Sequence, residues 1–286
     1  MRVLITGGAG QLGRDLAAEL GPSAFALDRS ECDVTKLASV QAAVERVRPD
    51  AIVNAGAWTD VDGCEGDPDR ARLVNATGAG NVGRAAGGAL VVQVSTDYVF
   101  DGRAGRAYVE SDATNPLSVY GTSKLEGERE AGAAARCAVV RTAWLYGTGA
   151  KNFVAAILRA ARTRNRLSVV DDQVGSPTST PDFARALVAL IERGATGVLH
   201  GVNAGKCSRF EFARAIFEEA GLDPSRVEPV PTGAMPRPAT RPAYAPLDGA
   251  AWRVAGLPDL RGWREALREV VPGVLDSLDA EAATKR

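Results

Sequence analysis

The sequence predicts an α/β protein: a doubly wound parallel sheet followed by a smaller C-terminal lobe. Three observations predict it. An apolar strand starting at Arg2 runs straight into glycines at positions 7, 10 and 13. Short Val/Ile/Leu-rich runs then alternate with helix-period segments, the pattern of a parallel sheet buried on both faces. After about residue 145 this alternation loosens and prolines gather.

The elements follow in order. The first helix carries Leu12, Leu16 and Leu20 on one face. Ala24–Leu27 is a second strand ending at Asp28, and Leu37–Val47 is a helix closed by Pro49. Ala51–Asn54 is the third strand. Asp69–Ala86 reads as a helix, although Gly78, Gly80 and Gly83 weaken its pattern. Leu90–Val94 and Ala138–Arg141 are further strands flanking a helix at Ser118–Ala135. Beyond them lie helices at Asn152–Arg162, Asp182–Glu192 and Arg209–Glu219, with strands at Leu167–Val170 and Val198–Val202. From Pro229 to Pro246, with Pro231, Pro236, Pro238 and Pro242 inside, no central strand or helix is expected, so the stretch reads as a long ordered loop. Trp263–Val270 is a final helix, and the tail from Asp279 is expected to fray. The implied division is a dinucleotide-binding core over 1–145 and a mainly substrate-binding lobe over 146–286, interleaved with that core.

Composition narrows the function classes. Formal net charge is −1, so no basic field argues for nucleic acid. The first strand begins at Arg2, which leaves no room for a signal peptide, and no apolar run is long enough to span a bilayer. A cytoplasmic protein without membrane contact is expected. Cys32, Cys64, Cys137 and Cys207 are scattered, as reduced structural cysteines are, and no His/Cys/Asp/Glu spacing suggests a catalytic metal.

The spacing Gly7-x-x-Gly10-x-x-Gly13 at the end of a first strand suits a dinucleotide pyrophosphate. One glycine permits the tight turn, one admits the phosphates, and one lets the following helix pack close, with its N–H groups aimed at the anion. Asp28 ends the second strand, where an acidic group hydrogen-bonds the adenine ribose. Asp28 alone favours NAD, whereas the neighbouring Arg29 suits the 2′-phosphate of NADP, so NADH and NADPH both stand as candidates. Asp33 and Val34 follow where an adenine would sit, and the small residues of Asn54-Ala55-Gly56-Ala57 leave room for the cofactor's middle.

The chemistry is written in residues 95–124. Thr96 and Asp97 end the fourth strand, and Tyr120-x-x-x-Lys124 puts a phenol and an ammonium on one helix face. A nearby ammonium favours the phenolate, which would tune Tyr120 for general acid–base work. Thr96 would hold a carbonyl oxygen beside it.

These motifs resemble the extended, nucleotide-sugar branch of the short-chain dehydrogenases/reductases, Rossmann-like proteins, and within it the dTDP-4-dehydrorhamnose reductase family. The likeness runs through Thr6-Gly7 to Gln11-Leu12-Gly13, Val53-Asn54 to Thr59-Asp60-Val61-Asp62, and Val94-Ser95-Thr96-Asp97-Tyr98-Val99-Phe100-Asp101-Gly102. It continues in Asn115-Pro116 to Glu128, Arg141-Thr142-Ala143-Trp144, Asn152-Phe153, Asp172-Gln173-x-Gly175-x-Pro177-Thr178 and Arg241-Pro242. The resemblance implies reduction of a 4-keto-6-deoxy sugar carried on dTDP. Tyr120 would protonate the alkoxide, Lys124 would bind the nicotinamide ribose and Thr96 would orient the carbonyl. It also implies cofactor contacts from Gln11, Leu12, Ala57, Trp58 and Thr59, sugar contacts from Asp97 and Trp144, and a homodimer; some family members carry Mg²⁺ at a dimer contact, which no residue here locates.

Three departures bear on the sugar: Trp58, the Gly63-Cys64 pair, and Tyr244-Ala245 after Arg241-Pro242. Related 4-ketoreductases of antibiotic deoxysugar pathways would carry the same catalytic set. A 4,6-dehydratase would need an acid after Asp97, where Tyr98 stands. A 4-epimerase would retain its cofactor. A non-catalytic regulatory subunit would have no need of the intact Thr96, Tyr120 and Lys124.

Overall fold

The computed structural model describes residues 1–149 and 152–284. Strands β1 (Val3–Thr6), β2 (Ala24–Leu27), β3 (Ala51–Asn54), β4 (Leu90–Thr96) and β5 (Cys137–Thr142) join a later strand, Gly197–His200, in a six-stranded sheet. The spatial order is 197–200, β5, β4, β3, β1, β2, and every neighbouring pair is parallel. The chain winds outward from β1 to β2, then returns to the other side of β1 for β3. That reversal opens a crevice beyond the carboxyl ends of β1 and β3.

All four residues of β1 are buried because both sheet faces are covered. Val3 and Ile5 pack with Leu12, Leu16 and Leu20 of α1 (Gln11–Leu20), while Leu4 packs with Val40, Ala43 and Val47 of α2 (Leu37–Val47). The second half of the chain helps to build this layer. Helix Thr180–Arg193 lays Phe183, Leu187 and Leu190 beside α1, and Gly197–His200 pairs with β5 from Ala138 to Arg141. The remaining later segments have a core of their own, around Tyr146, Leu158, Phe212, Phe217 and Val271.

Four expectations are corrected. The segment expected as one helix from Asp69 is Pro68–Arg72, a π-turn at Leu73–Thr77, and Gly78–Ala85; Gly78 lies so close to Val34 that a Cβ there would sit 2.9 Å from its side chain. Pro229 lies inside a strand, Val227–Val230, paired with Leu167–Val170. This is a two-stranded sheet, where a missing N–H costs little. The last helix does not stop at Val270. It runs through Pro272 to Thr284, because Val271, Val274 and Leu278 continue the buried face of the lobe core. The expected frayed tail is therefore helical from Asp279 to Thr284, and its last two residues lie outside the described ones. Among the described residues the four cysteines are free, and no helix is long and apolar enough to cross a membrane.

Candidate active site

The turn after β1 is shaped by contact as much as by conformation. Gly7 has φ +68°, and a Cβ there would stand 2.8 Å from the backbone of Gly56 across the crevice. A Cβ on Gly13 would lie 2.5 Å from the Gly7 carbonyl. Only hydrogen fits at either place. The turn therefore brings α1 and β3 together and leaves the N-terminus of α1 open to a ligand.

Two elements place the reactive groups. Thr96 closes β4; its hydroxyl accepts from the Tyr98 amide at 3.2 Å and donates to the Asp97 carboxylate at 3.0 Å. Opposite it, Ser118 caps helix Val119–Ala131 by accepting from the Gly121 amide at 3.1 Å. Gly121 lets that helix approach, since a Cβ would meet the Tyr98 carbonyl at 2.3 Å. Tyr120 and Lys124 are thereby driven inward, and both are buried.

Thr96, Tyr120 and Lys124 line one cleft of about 400 Å³ together with Gly7, Gly10, Gln11, Leu12, Gly13, Ala57, Thr59 and Trp144. The remaining expected contacts do not line it. Asp28 ends β2 with an exposed carboxylate that accepts from the Ser30 amide and hydroxyl, which holds its carboxyl below the usual range. Arg29 is solvent-exposed, 4.0 Å from Asp33, and Asp33 accepts from the Thr35 hydroxyl. Val34 is buried against Gly78. Trp58 turns from the cleft to pack with Cys64, Ala71 and Tyr120, under the guanidinium of Arg70 at 4.3 Å. Asp97 is buried behind Thr96.

The electrostatics differ from the expected pairing. Burial pushes the Tyr120 phenol up, against an opposing effect of the Thr96 hydroxyl, and Asp97, Tyr98 and Cys64 push it further. The Lys124 ammonium does not offset this. It donates to the Val94 carbonyl at 2.6 Å, and burial lowers it to about 8 despite the nearby Glu128. Burial likewise raises the Asp97 carboxyl to about 6, against the Thr96 hydrogen bond and the charge of Arg209.

Several contacts escaped the sequence reading. Thr142 ends β5 in register with Thr96; its hydroxyl is buried without a partner, and the residue lines the cleft. Its position at the carboxyl end of a parallel strand was the available signal. Asn75 holds the loop after β3, bonding the Trp58 amide and carbonyl and the Ser123 hydroxyl. The Gln11 side chain pairs with Asn152 at 2.8 Å and so ties the glycine turn to the lobe. Arg241 makes a bidentate ion pair with Asp62, with both contacts at 2.9 Å, which pins the proline-rich loop to the core. Trp144 adopts φ +48°, and a Cβ on Gly175 would strike its indole at 2.5 Å. Strain of this kind marks functional positions. Among the described residues, no group of three His, Cys, Asp or Glu side chains could hold a metal, so a Mg²⁺ site has no support.

This geometry can bind a dinucleotide along the glycine turn and present a protonated phenol and a hydroxyl to a carbonyl oxygen. A family model described as "RmlD substrate binding domain" matches residues 1–275. The chain is 46% identical to a dTDP-4-dehydrorhamnose reductase of Mycobacterium tuberculosis strain H37Rv, over 100% of this chain and 98% of that one. It is 42% identical to a dTDP-4-keto-6-deoxy-D-glucose reductase of Streptomyces niveus, over 95% and 96%. Among solved structures, a dTDP-4-dehydrorhamnose reductase of Bacillus anthracis in complex with NADP superimposes with a TM-score of 0.90 at 38% identity, covering 94% of this chain and 98% of that one. Fold, cleft and relatives agree, and the chain belongs to the dTDP-4-dehydrorhamnose reductase family.

Proposed function

We propose that this protein is an NAD(P)H-dependent oxidoreductase that reduces the C4 keto group of a dTDP-4-keto-6-deoxy-hexose, converting dTDP-4-dehydrorhamnose to dTDP-L-rhamnose. The observation that carries the reading is the convergence of Thr96, Tyr120 and Lys124 in the cleft that the Gly7 turn opens. The cofactor fits: hydrogen-only positions at Gly7 and Gly13 keep the turn tight, and the N-terminal residues of α1, Gln11, Leu12 and Gly13, line the cleft where a pyrophosphate would bind. Asp28, Arg29, Asp33 and Val34 would then lie toward its adenosine end, with Ala57 and Thr59 along its middle and Trp58 packed away from it.

A bound nicotinamide supplies a hydride to the carbonyl carbon. The residues of this chain do the rest. Thr96 orients the carbonyl oxygen by turning its hydroxyl proton to it from Asp97. Tyr120 donates its phenolic proton as charge develops on that oxygen; because burial keeps the phenol protonated through neutrality, it stands ready as an acid, the form that reduction needs. Lys124 holds the nicotinamide ribose and supplies positive charge as the phenolate forms. Trp144 contacts the sugar, while Asp97 acts from behind Thr96, whose hydroxyl it holds. The test is NADPH oxidation by the purified protein with dTDP-4-dehydrorhamnose, with dTDP-L-rhamnose identified as product. A protein that binds NADPH yet oxidises none with this substrate overturns the reading.

The Streptomyces niveus relative favours a second reading, a 4-ketoreductase for a different deoxysugar. Tyr244, hydrogen-bonded to Lys206, stands on the side where the sugar would be selected. Turnover of a panel of dTDP-4-keto sugars separates the two.

A further inference from the structure

Arg209 is the first residue of helix Arg209–Glu219, and its backbone is fixed on both sides. Its amide donates to the Gln173 carbonyl at 3.1 Å, and Ser208 before it closes a capping box with Glu211. Its guanidinium lies 3.5 Å above the ring of Trp144 and 5.0 Å from that of Phe153. Among the described residues it makes no hydrogen bond and no ion pair, although it is partly buried. Arg241, whose charge it feels, has its own partner in Asp62, a carboxylate it shares with Arg237. Asp97 also feels Arg209, but its carboxylate is bonded to Thr96 instead.

A partly desolvated cation without an acceptor is costly, and it is a ready anion site. Stacking on an indole holds the planar fork in place before any ligand arrives. The ring beneath it belongs to Trp144, which lines the cleft with Thr96 and Tyr120. Of the two anions that the proposed reaction brings in, the dinucleotide pyrophosphate is matched to the Gly7 turn. The sugar itself is neutral. The remaining anion is the diphosphate joining sugar to nucleoside.

We propose that Arg209, laid over Trp144, binds the diphosphate of the nucleotide-sugar substrate and so decides that the sugar is taken only on a nucleotide carrier. This rests on the reading of the substrate as a dTDP-sugar. The competing role is structural: Arg209 would only balance the charge of Asp97.

The test is calorimetric titration of the NADP-loaded protein with dTDP and, separately, thymidine. Loss of a charge-assisted contact in Arg209→Gln should weaken dTDP by about tenfold or more. Thymidine and NADPH should bind as before, and Arg209→Lys should fall between. If Arg209→Gln does not fold, Arg209→Lys alone decides by whether dTDP is weakened more than thymidine. Equal affinities for dTDP in wild type and variants, or equal losses for dTDP and thymidine, overturn the proposal and leave the reductase reading standing. A wild-type protein that binds NADP but no dTDP overturns both.

Discussion

The Lys124 ammonium donates a 2.6 Å hydrogen bond to the carbonyl of Val94, just before Thr96 on β4, and so spends its charge on the strand end. Burial has brought this lysine down to about 8, where it loses its proton within reach of ordinary assays. If turnover needs the ammonium, kcat/KM of the free enzyme falls as pH rises through about 8. Lys124→Met should lose about a hundredfold in kcat/KM, while Lys124→Arg should carry the alkaline limb upward. The check is the pH profile of all three proteins; an identical limb in Lys124→Arg would assign the titration elsewhere.

Tyr120→Phe removes only the phenolic proton. Turnover should drop by about 10²–10⁴-fold, with NADPH affinity unchanged in a fluorescence titration. Near-normal turnover would move the acid role to another group.

Asp97 costs the fold stability near neutrality. Its folded value, about 6, lies above the ordinary 3.8, so between these two pH values the native state holds the proton that the unfolded chain releases. Stability from this group is present below about 3.8 and is lost as pH rises through about 6. Asp97→Asn should therefore stabilise the protein near neutrality by on the order of 2 kcal/mol, and the gain should vanish in acid. Urea unfolding on both sides of that window measures it.

Glu128 and Arg141 form an ion pair at 2.7 Å whose side chains are each only 6% exposed, and the Ser95 hydroxyl donates to the same carboxylate. Removing one partner strands a buried charge. Glu128→Gln should destabilise by about 3–5 kcal/mol, read by chemical denaturation. A loss below about 1 kcal/mol would mean that water or a shifted side chain replaces the pair.

Arg29 is an exposed cation next to Asp28, where the ribose is proposed to bind, and is loosely held by Asp33. Arg29→Ala should raise KM for NADPH about three- to tenfold and leave NADH unchanged. Equal effects on both cofactors would remove Arg29 from 2′-phosphate recognition.

What was legible in the sequence was local. The run from Val3 to Gly13 announces strand, turn and helix together, and the i, i+4 spacing puts Tyr120 and Lys124 on one face. What was not legible depended on neighbours distant in sequence. Pro272 looks like a helix stop until Phe212 and its lobe core offer a surface worth covering. Trp144 reads as a sugar contact, and nothing in its neighbourhood in sequence shows that Arg209 lies on its ring. The electrostatic sign at Tyr120 also needed depth, because spacing says where Lys124 stands and says nothing about how dry the phenol is.

The strand Gly197–His200 seals the outer flank of β5, and helix Thr180–Arg193 roofs α1. A recombinant fragment stopping near residue 145 would thus present a bare strand margin and an uncovered leucine stripe to solvent. It should clump rather than fold. The two halves are thus not separable pieces: the first is closed only by strand and helix that the second supplies.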